Sequence, residues 1–259
     1  RGDEMREYKK EGIYMIPNLL TTGNLFSGFY AIISVFNADY LIASVAILAA
    51  TIFDSLDGKT ARLVKATSRF GVEYDSLADL ISFGLAPGLL IYSWALNSYG
   101  RIGWLAVFLY TVCGALRLAR FNVQTSNSDG RYFTGLPIPA AAAVIASIVL
   151  LDHHILRMGK EIKPLLILVI TYSLAALMVS SIKYRSFKYL NLKERKPFNF
   201  LVSAVLLLIV LIAAPQIMFF IMATTYALSG PLERPIVAAI NLFRKNKAGR
   251  ELARENNKV

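Results

Sequence analysis

Apolar residues occur along this chain in long uninterrupted runs, and the charged residues are collected between them. The runs that lack Asp, Glu, Lys and Arg cover residues 16–38, 40–53, 80–100, 102–116, 132–151, 164–182 and 197–232. A helix needs roughly 20 apolar residues to cross the hydrocarbon core of a bilayer, so most of these runs predict membrane-spanning helices. The runs 40–53 and 102–116 are shorter, and we expect their helices to continue into the polar segments Asp54–Lys65 and Arg117–Asn122.

The last apolar run, 197–232, is too long for one span, and Pro215-Gln216 near its middle predicts a tight turn between two spans. The pattern therefore predicts an all-α polytopic membrane bundle of about eight transmembrane helices. We expect one membrane domain over residues 1–232 and a basic cytoplasmic tail over residues 233–259. The composition agrees, because hydrophobic residues make up 56% of the 259 positions, more than a soluble domain contains.

The basic residues are divided unevenly between the two sides of the predicted bundle. With the N-terminus inside and an even number of spans, 24 of the 28 Lys and Arg residues lie on the inner side. Cytoplasmic loops carry such an excess, so we predict a protein of the cytoplasmic membrane with both termini in the cytoplasm. This asymmetry also explains most of the net charge of +11. The sequence contains no recognisable nucleic-acid-binding module.

Carboxylates are concentrated between the second and third apolar runs, at the predicted cytoplasmic end. Their spacing is Asp54-x2-Asp57-Gly58-x2-Ala61-Arg62-x8-Gly71-x3-Asp75-x3-Asp79. The first five positions fall on one face of a helix, and the last two acids lie one turn apart on the next helix. Ionisable residues at the end of a membrane helix are costly, so they mark a functional site.

A loop near residues 65–70 would set these two helices antiparallel and bring the four carboxylates together. Clustered carboxylates repel one another, and divalent cations remove that repulsion; an all-oxygen set suits Mg²⁺ or Mn²⁺. Gly58 and Ala61 leave room for a flat group against the helix, and Arg62 offers a planar fork for phosphate oxygens. A cation transporter is the alternative from another class, but it gives no reason for these three residues at their spacing.

The segment Asp54–Asp79 resembles the signature of the CDP-alcohol phosphatidyltransferases, and every signature position is filled. Enzymes of that family transfer a phosphatidyl group from a CDP-linked lipid to an alcohol and release CMP. The resemblance implies two Mg²⁺ or Mn²⁺ ions per active site, a homodimer, and Asp79 as both metal ligand and general base. The other implied metal ligands are Asp54, Asp57 and Asp75. The implied contacts to the CDP-lipid come from Asp57, Gly58, Ala61, Arg62 and Gly71.

Other segments indicate which alcohol is the acceptor. The stretches that resemble the phosphatidylserine synthase branch of the family are Arg117-Leu-Ala-Arg120-Phe121-Asn122, Phe133–Ala142, and Pro17-Asn18, Thr21 and Gly23-Asn24 on the first span. The implied reaction joins a CDP-diacylglycerol-type lipid to L-serine at the cytoplasmic face. The serine carboxylate needs donors, for which the candidates are Arg117, Arg120, Asn122 and the backbone near Gly135. Glycerol 3-phosphate and inositol phosphate are the alternative acceptors, and their phosphate calls for a denser basic pocket.

Overall fold

The computed structural model describes residues 2–63, 68–124, 132–156, 162–185 and 213–232. Its α-helices include α1 (Gly2–Phe36), α2 (Tyr40–Leu63), α3 (Arg69–Asp79), α4 (Ala86–Ile91), α5 (Arg101–Gln124), α6 (Ile138–Leu151) and α7 (Ile162–Val179). A further helix, α8, covers residues 215–232. Two three-residue strands, β1 (Tyr132–Thr134) and β2 (Lys183–Arg185), pair antiparallel.

The described part of the chain confirms the predicted all-α membrane bundle. Its helices that are long and apolar enough to cross a membrane are Ile16–Phe36, Tyr40–Ala61, Arg69–Tyr99, Arg101–Val123 and Ile138–Leu156. A shorter apolar helix covers Lys163–Val179. Many large apolar side chains on these helices are exposed, as expected where a bundle faces lipid, among them Phe26, Phe29, Phe108 and Leu165. The protein is therefore an integral membrane protein.

The two helices that were expected to continue beyond their apolar runs do so. α2 extends to Leu63 and α5 extends to Gln124, because helical hydrogen bonding continues into the polar segment that follows each run. α8 begins at Pro215, which agrees with a turn at this position, since proline suits the first residue of a helix. Residues 197–212 and the tail 233–259 lie outside the described residues, so the count of eight spans and the division at residue 232 stay predictions.

The third span, Arg69–Tyr99, is one continuous helical segment, in which a wider helical turn, Leu80–Leu85, joins α3 to α4. In this turn the amide of Ala86 bonds to the carbonyl of Ile81, five residues earlier. Turns of this kind are rare and occur frequently at functional sites. The wide turn begins directly after Asp79, the last acid of the signature.

Close contact between α1 and the third span depends on a small residue. A Cβ atom at Gly28 would come within 2.6 Å of Ser82 Cα, so a larger residue would push the two helices apart. Ser82 Oγ donates a hydrogen bond of 3.0 Å to the carbonyl of Asn24, one turn earlier on α1. The first helix is thereby held against the segment that carries the acids.

A second contact ties the connection between α5 and α6 to the end of α7. Gly135 has a φ of +80°, and a Cβ atom there would overlap the carbonyl oxygen of Met178. The Gly135 amide donates to the Ile182 carbonyl at 2.8 Å, beside the β1–β2 pair. The sequence did not predict these strands, because three residues are too few to show an alternating pattern.

The opposite end of the bundle has a polar contact of its own. Lys163 Nζ lies 2.9 Å from Asp152 Oδ2 and 4.2 Å from the centre of the Trp94 ring. This contact joins the start of α7 to the end of α6 and to the third span. His153 and His154 follow Asp152 at this end of the bundle.

Candidate active site

Three carboxylates meet where the C-terminal part of α2 lies beside the N-terminal part of α3. One carboxylate oxygen from each of Asp54, Asp57 and Asp75 lies within 4.8 Å of the other two. Asp54 and Asp57 are one turn apart on α2, and Asp75 comes from the second turn of α3. The structure therefore brings together three of the four carboxylates that the spacing predicted to meet.

The donor set of this cluster fits a divalent metal ion. Asp57 is buried, and Asp75 Oδ1 is a buried oxygen that has no hydrogen-bond partner among the described residues. Burying a carboxylate oxygen without a donor is unfavourable, and a bound cation would compensate it. An all-oxygen set of carboxylates is the ligand type that Mg²⁺, Ca²⁺ and Mn²⁺ prefer.

Asp79 lies one helical turn beyond Asp75 and is buried beside the cluster. Its Oδ1 atom accepts a hydrogen bond of 3.0 Å from Nδ2 of Asn24. Its nearest acidic neighbours in electrostatic terms are Asp54 and Asp75. Asp79 therefore adjoins the three-carboxylate group, with one oxygen already bound by a neutral donor.

Two residues of α1 contact the acids, and no site role was predicted for either of them. Thr21 Oγ1 donates to Asp57 Oδ2 at 3.0 Å, and the Pro17 carbonyl, 3.1 Å away in its own helix, is the alternative acceptor for the same proton. Asn24, three residues later, binds Asp79. A signal was present in the sequence, because two polar residues three apart share one face of a predicted membrane span and need buried partners there.

The residues expected to contact the nucleotide lie on both sides of the cluster. Gly58 and Ala61 follow Asp57 along α2 and are half-buried. Gly71 lies in the first turn of α3, where its amide donates to the capping Ser68 Oγ at 2.9 Å. A Cβ atom at Gly71 would lie 3.2 Å from that Oγ and 3.3 Å from Asn18 Oδ1. The Arg62 side chain lies outside the described residues, and the nucleotide contacts stay a prediction.

Arg117 of α5 interacts electrostatically with the acids. Its side chain is 7% exposed, and the groups that act on it electrostatically are Asp79, Tyr226 and Asp54. The guanidinium lies 5.4 Å from the centre of the Phe121 ring. Its Nε atom is buried and has no hydrogen-bond partner in the described part of the chain. The structure thus places one of the predicted acceptor residues beside the carboxylates.

The other three predicted acceptor residues make contacts within the fold. Arg120 donates to the carbonyls of Val179 at 3.0 Å and Ser180 at 3.4 Å, at the C-terminal end of α7. Asn122 Nδ2 donates to Ser76 Oγ at 2.9 Å, and the Gly135 amide is bonded to Ile182. These contacts give each residue a structural role, and their part in acceptor binding stays a prediction.

Residues 14–179 match the family described as CDP-alcohol phosphatidyltransferase. The matched region begins just before Pro17 on α1 and ends with α7, so it contains every residue of the carboxylate cluster, both α1 donors and Arg117.

Several relatives are similar over most of their length. A Helicobacter pylori protein named CDP-diacylglycerol–serine O-phosphatidyltransferase is 36% identical over 238 residues, which cover 91% of this chain and 98% of that protein. A Bacillus subtilis protein of the same name is 38% identical, with coverage of 67% and 91%. The archaetidylserine synthase of Methanothermobacter thermautotrophicus is 40% identical, with coverage of 70% and 73%.

Proposed function

The chain belongs to the CDP-alcohol phosphatidyltransferase family, and we propose that it transfers the phosphatidyl group of a CDP-diacylglycerol-type lipid to the hydroxyl of L-serine. The products are phosphatidylserine and CMP. The observation that carries the proposal is the meeting of Asp54, Asp57 and Asp75 beside the buried Asp79 in an apolar bundle. The relatives support serine as the acceptor, because each of the three names above specifies a serine phospholipid product or a serine substrate.

Metal binding is assigned to the four Asp residues of the signature, with two Mg²⁺ or Mn²⁺ ions per active site. Bound divalent cations would neutralise the pyrophosphate and stabilise charge on the attacking and leaving oxygens of an in-line displacement. Asp54 and Asp57 hold their positions because both lie on the rigid α2 helix. Asp75 supplies the buried oxygen that has no hydrogen-bond partner in the described ranges, and Asp79 follows it one turn later.

Asp79 is the proposed general base. Its carboxylate accepts the proton of the serine hydroxyl while the hydroxyl oxygen attacks the lipid-side phosphorus. The new bond joins the serine oxygen to phosphorus, and the bond from that phosphorus to the oxygen bridging to CMP breaks. CMP leaves with the electron pair, so the atoms and charges balance without a further reactant.

The nucleotide is assigned to the face of α2 that follows Asp57. Gly58 and Ala61 have almost no side chain, so the cytidine ring could lie close to the helix backbone there. Asp57 adjoins both the metals and this face. Arg62 and Gly71 are assigned to the CDP end of the lipid, where an arginine fork suits phosphate oxygens.

We place the serine carboxylate at Arg117 in preference to Arg120. Arg117 interacts electrostatically with Asp79 and Asp54, and its Nε atom has no hydrogen-bond partner among the described residues, whereas Arg120 donates to the carbonyls of Val179 and Ser180. Lysine keeps the charge but loses the bidentate fork. Arg117→Lys should therefore raise the KM for serine about 10-fold or more, with a smaller change in the KM for the CDP-lipid.

Arg120→Lys is the matched control, because it makes the same chemical change three residues along the same helix. It should lower thermal stability by weakening the contact to Val179 and Ser180, and it should leave the KM for serine close to that of the unmodified enzyme. Both constants are measured with purified enzyme at saturating metal. A rise in the serine KM for Arg120→Lys alone would reverse the assignment.

The remaining proposals concern placement and assembly. The uneven distribution of Lys and Arg supports an active site at the cytoplasmic face with both termini in the cytoplasm. A homodimer is proposed from the family alone.

The proposed orientation can be tested by labelling with a membrane-impermeant reagent. Single cysteines are introduced near Ser68 and near Trp104, and their labelling is compared in intact and opened vesicles. Equal labelling of the two sites in intact vesicles would contradict it.

Release of CMP across a panel of alcohols tests the function. Purified protein is incubated with CDP-diacylglycerol, Mn²⁺ and one acceptor: L-serine, glycerol 3-phosphate or inositol phosphate. We expect CMP release that depends on serine, with phosphatidylserine as the lipid product. A preference for glycerol 3-phosphate would overturn serine while keeping the family reaction. Metal-dependent transport without CMP release from any acceptor would favour the transporter alternative.

A further inference from the structure

Helix α1 carries none of the signature acids, yet it supplies hydrogen bonds to two of them. Thr21 donates to Asp57, and Asn24 donates to Asp79, which lies 55 residues later in the chain. From this geometry we propose that Asn24 is a positioning residue, which fixes the Asp79 carboxylate in its reactive orientation, and that Thr21 supports Asp57 in the same way. The test of this proposal measures the transferase activity, so the proposal rests on the proposed function.

Asn24 is held at both its main chain and its side chain. Its side chain is fully buried, its Nδ2 atom binds Asp79 Oδ1, and its carbonyl accepts from Ser82 Oγ at 3.0 Å. Asp79 and Ser82 are three residues apart and belong to the segment where the third span enters its wide turn. Close packing at Gly28 keeps α1 in place against this segment. The distance between the amide and the carboxylate is therefore set by two packed helices.

The hydrogen bond distinguishes the two oxygens of Asp79. Because Oδ1 already accepts a hydrogen bond from Asn24, we assign to Oδ2 the acceptance of the proton from the acceptor hydroxyl. Rotating the carboxylate would break a buried hydrogen bond and leave the Asn24 donor without a partner, which is unfavourable. A reaction is faster when its reacting groups are held in the productive orientation. Loss of a contact that supports this orientation typically lowers activity or metal affinity about 10- to 100-fold.

The test replaces Asn24 by Leu, which has a similar volume but no donor. Full-length protein is assayed at saturating Mn²⁺, and the dissociation constant of Mn²⁺ is measured separately by electron paramagnetic resonance. We expect kcat to fall about 10- to 100-fold while the KM for the CDP-lipid changes less than about twofold. Asn24→Ala should show the same lower kcat with a nearly unchanged KM for the CDP-lipid, so it replaces Asn24→Leu if the leucine prevents folding.

Ser27→Ala is the matched control. Ser27 is a buried polar residue one turn further along α1, and its hydroxyl donates to the Gly23 carbonyl in the same helix. This variant should keep the kcat, the KM values and the Mn²⁺ affinity of the unmodified protein. A fall in kcat equal to that of Asn24→Leu would show that any loss of a buried polar group on α1 has this effect, and it would overturn the proposal.

A double variant tests whether Asn24 acts through Asp79. In the Asp79→Asn background the Asn24→Leu change should cause little further loss of kcat, because its effect depends on the carboxylate. Additive losses, or a kcat for Asn24→Leu equal to that of the unmodified enzyme, would overturn the positioning role. If the unmodified protein releases no CMP, the proposed function fails instead; full Mn²⁺ affinity in Asn24→Leu and Asn24→Ala would then count against the positioning role as well.

Discussion

Removal of divalent cations should abolish CMP release completely, and addition of Mg²⁺ or Mn²⁺ should restore it. The reason is electrostatic, because the three carboxylates within 4.8 Å of one another repel, and no Lys, Arg or His is described in a salt bridge with any of them. Without cations the pyrophosphate of the lipid would add negative charge to this group. The measurement is CMP release after treatment with excess EDTA, followed by titration with each metal.

Two controls separate a metal requirement from loss of the fold. Circular dichroism before and after chelation should show unchanged helix content, because most of the bundle's buried area lies away from the acids. Asp75→Asn changes the ligand whose Oδ1 has no hydrogen-bond partner in the described part of the chain, so it should weaken Mn²⁺ binding and raise the metal concentration needed for half activity. Full turnover in excess chelator would contradict the two-metal site and with it the assigned roles of all four acids.

Local spacing was enough to predict the parts of the site that lie on two consecutive helices. The positions of Asp54, Asp57 and Asp75 depend on the helical repeat and on one short connection, so the sequence predicted their meeting correctly. The extension of α2 beyond Phe53 was predictable for the same reason, since a helix continues wherever its backbone hydrogen bonds continue. The hydropathy pattern alone placed the start of the third span near residue 80, although its helix begins at Arg69.

Contacts between distant segments could not be predicted in this way. Asn24 and Asp79 are 55 residues apart, and Arg120 and Val179 are 59 residues apart. Both pairs depend on which helix faces are neighbours, and an apolar run in a membrane bundle gives little indication of that, because lipid and protein favour similar side chains. The contacts of Arg120 with the carbonyls of Val179 and Ser180 were accordingly not predicted, and its part in acceptor binding stays a prediction.

Replacement of Asp79 by Asn should lower turnover about 10²-fold or more while leaving binding of the CDP-lipid measurable. The amide cannot accept the proton of the serine hydroxyl as a carboxylate does, but it has nearly the same volume in this buried position. It also keeps an oxygen that can accept the hydrogen bond from Asn24. Turnover is measured as CMP release, and lipid binding is measured by equilibrium dialysis with a labelled CDP-lipid at saturating Mn²⁺.

Gly58→Leu is the comparison variant that distinguishes loss of the general base from loss of nucleotide binding. A leucine at this half-buried position of α2 would occupy the space assigned to the cytidine, so binding of the CDP-lipid should weaken and the KM should rise. The reacting groups stay in place, so the kcat extrapolated to saturating lipid should fall much less than in Asp79→Asn. Equal losses of lipid binding in the two variants would show that Asp79 contributes mainly to binding, and the base would then have to be sought elsewhere in the cluster.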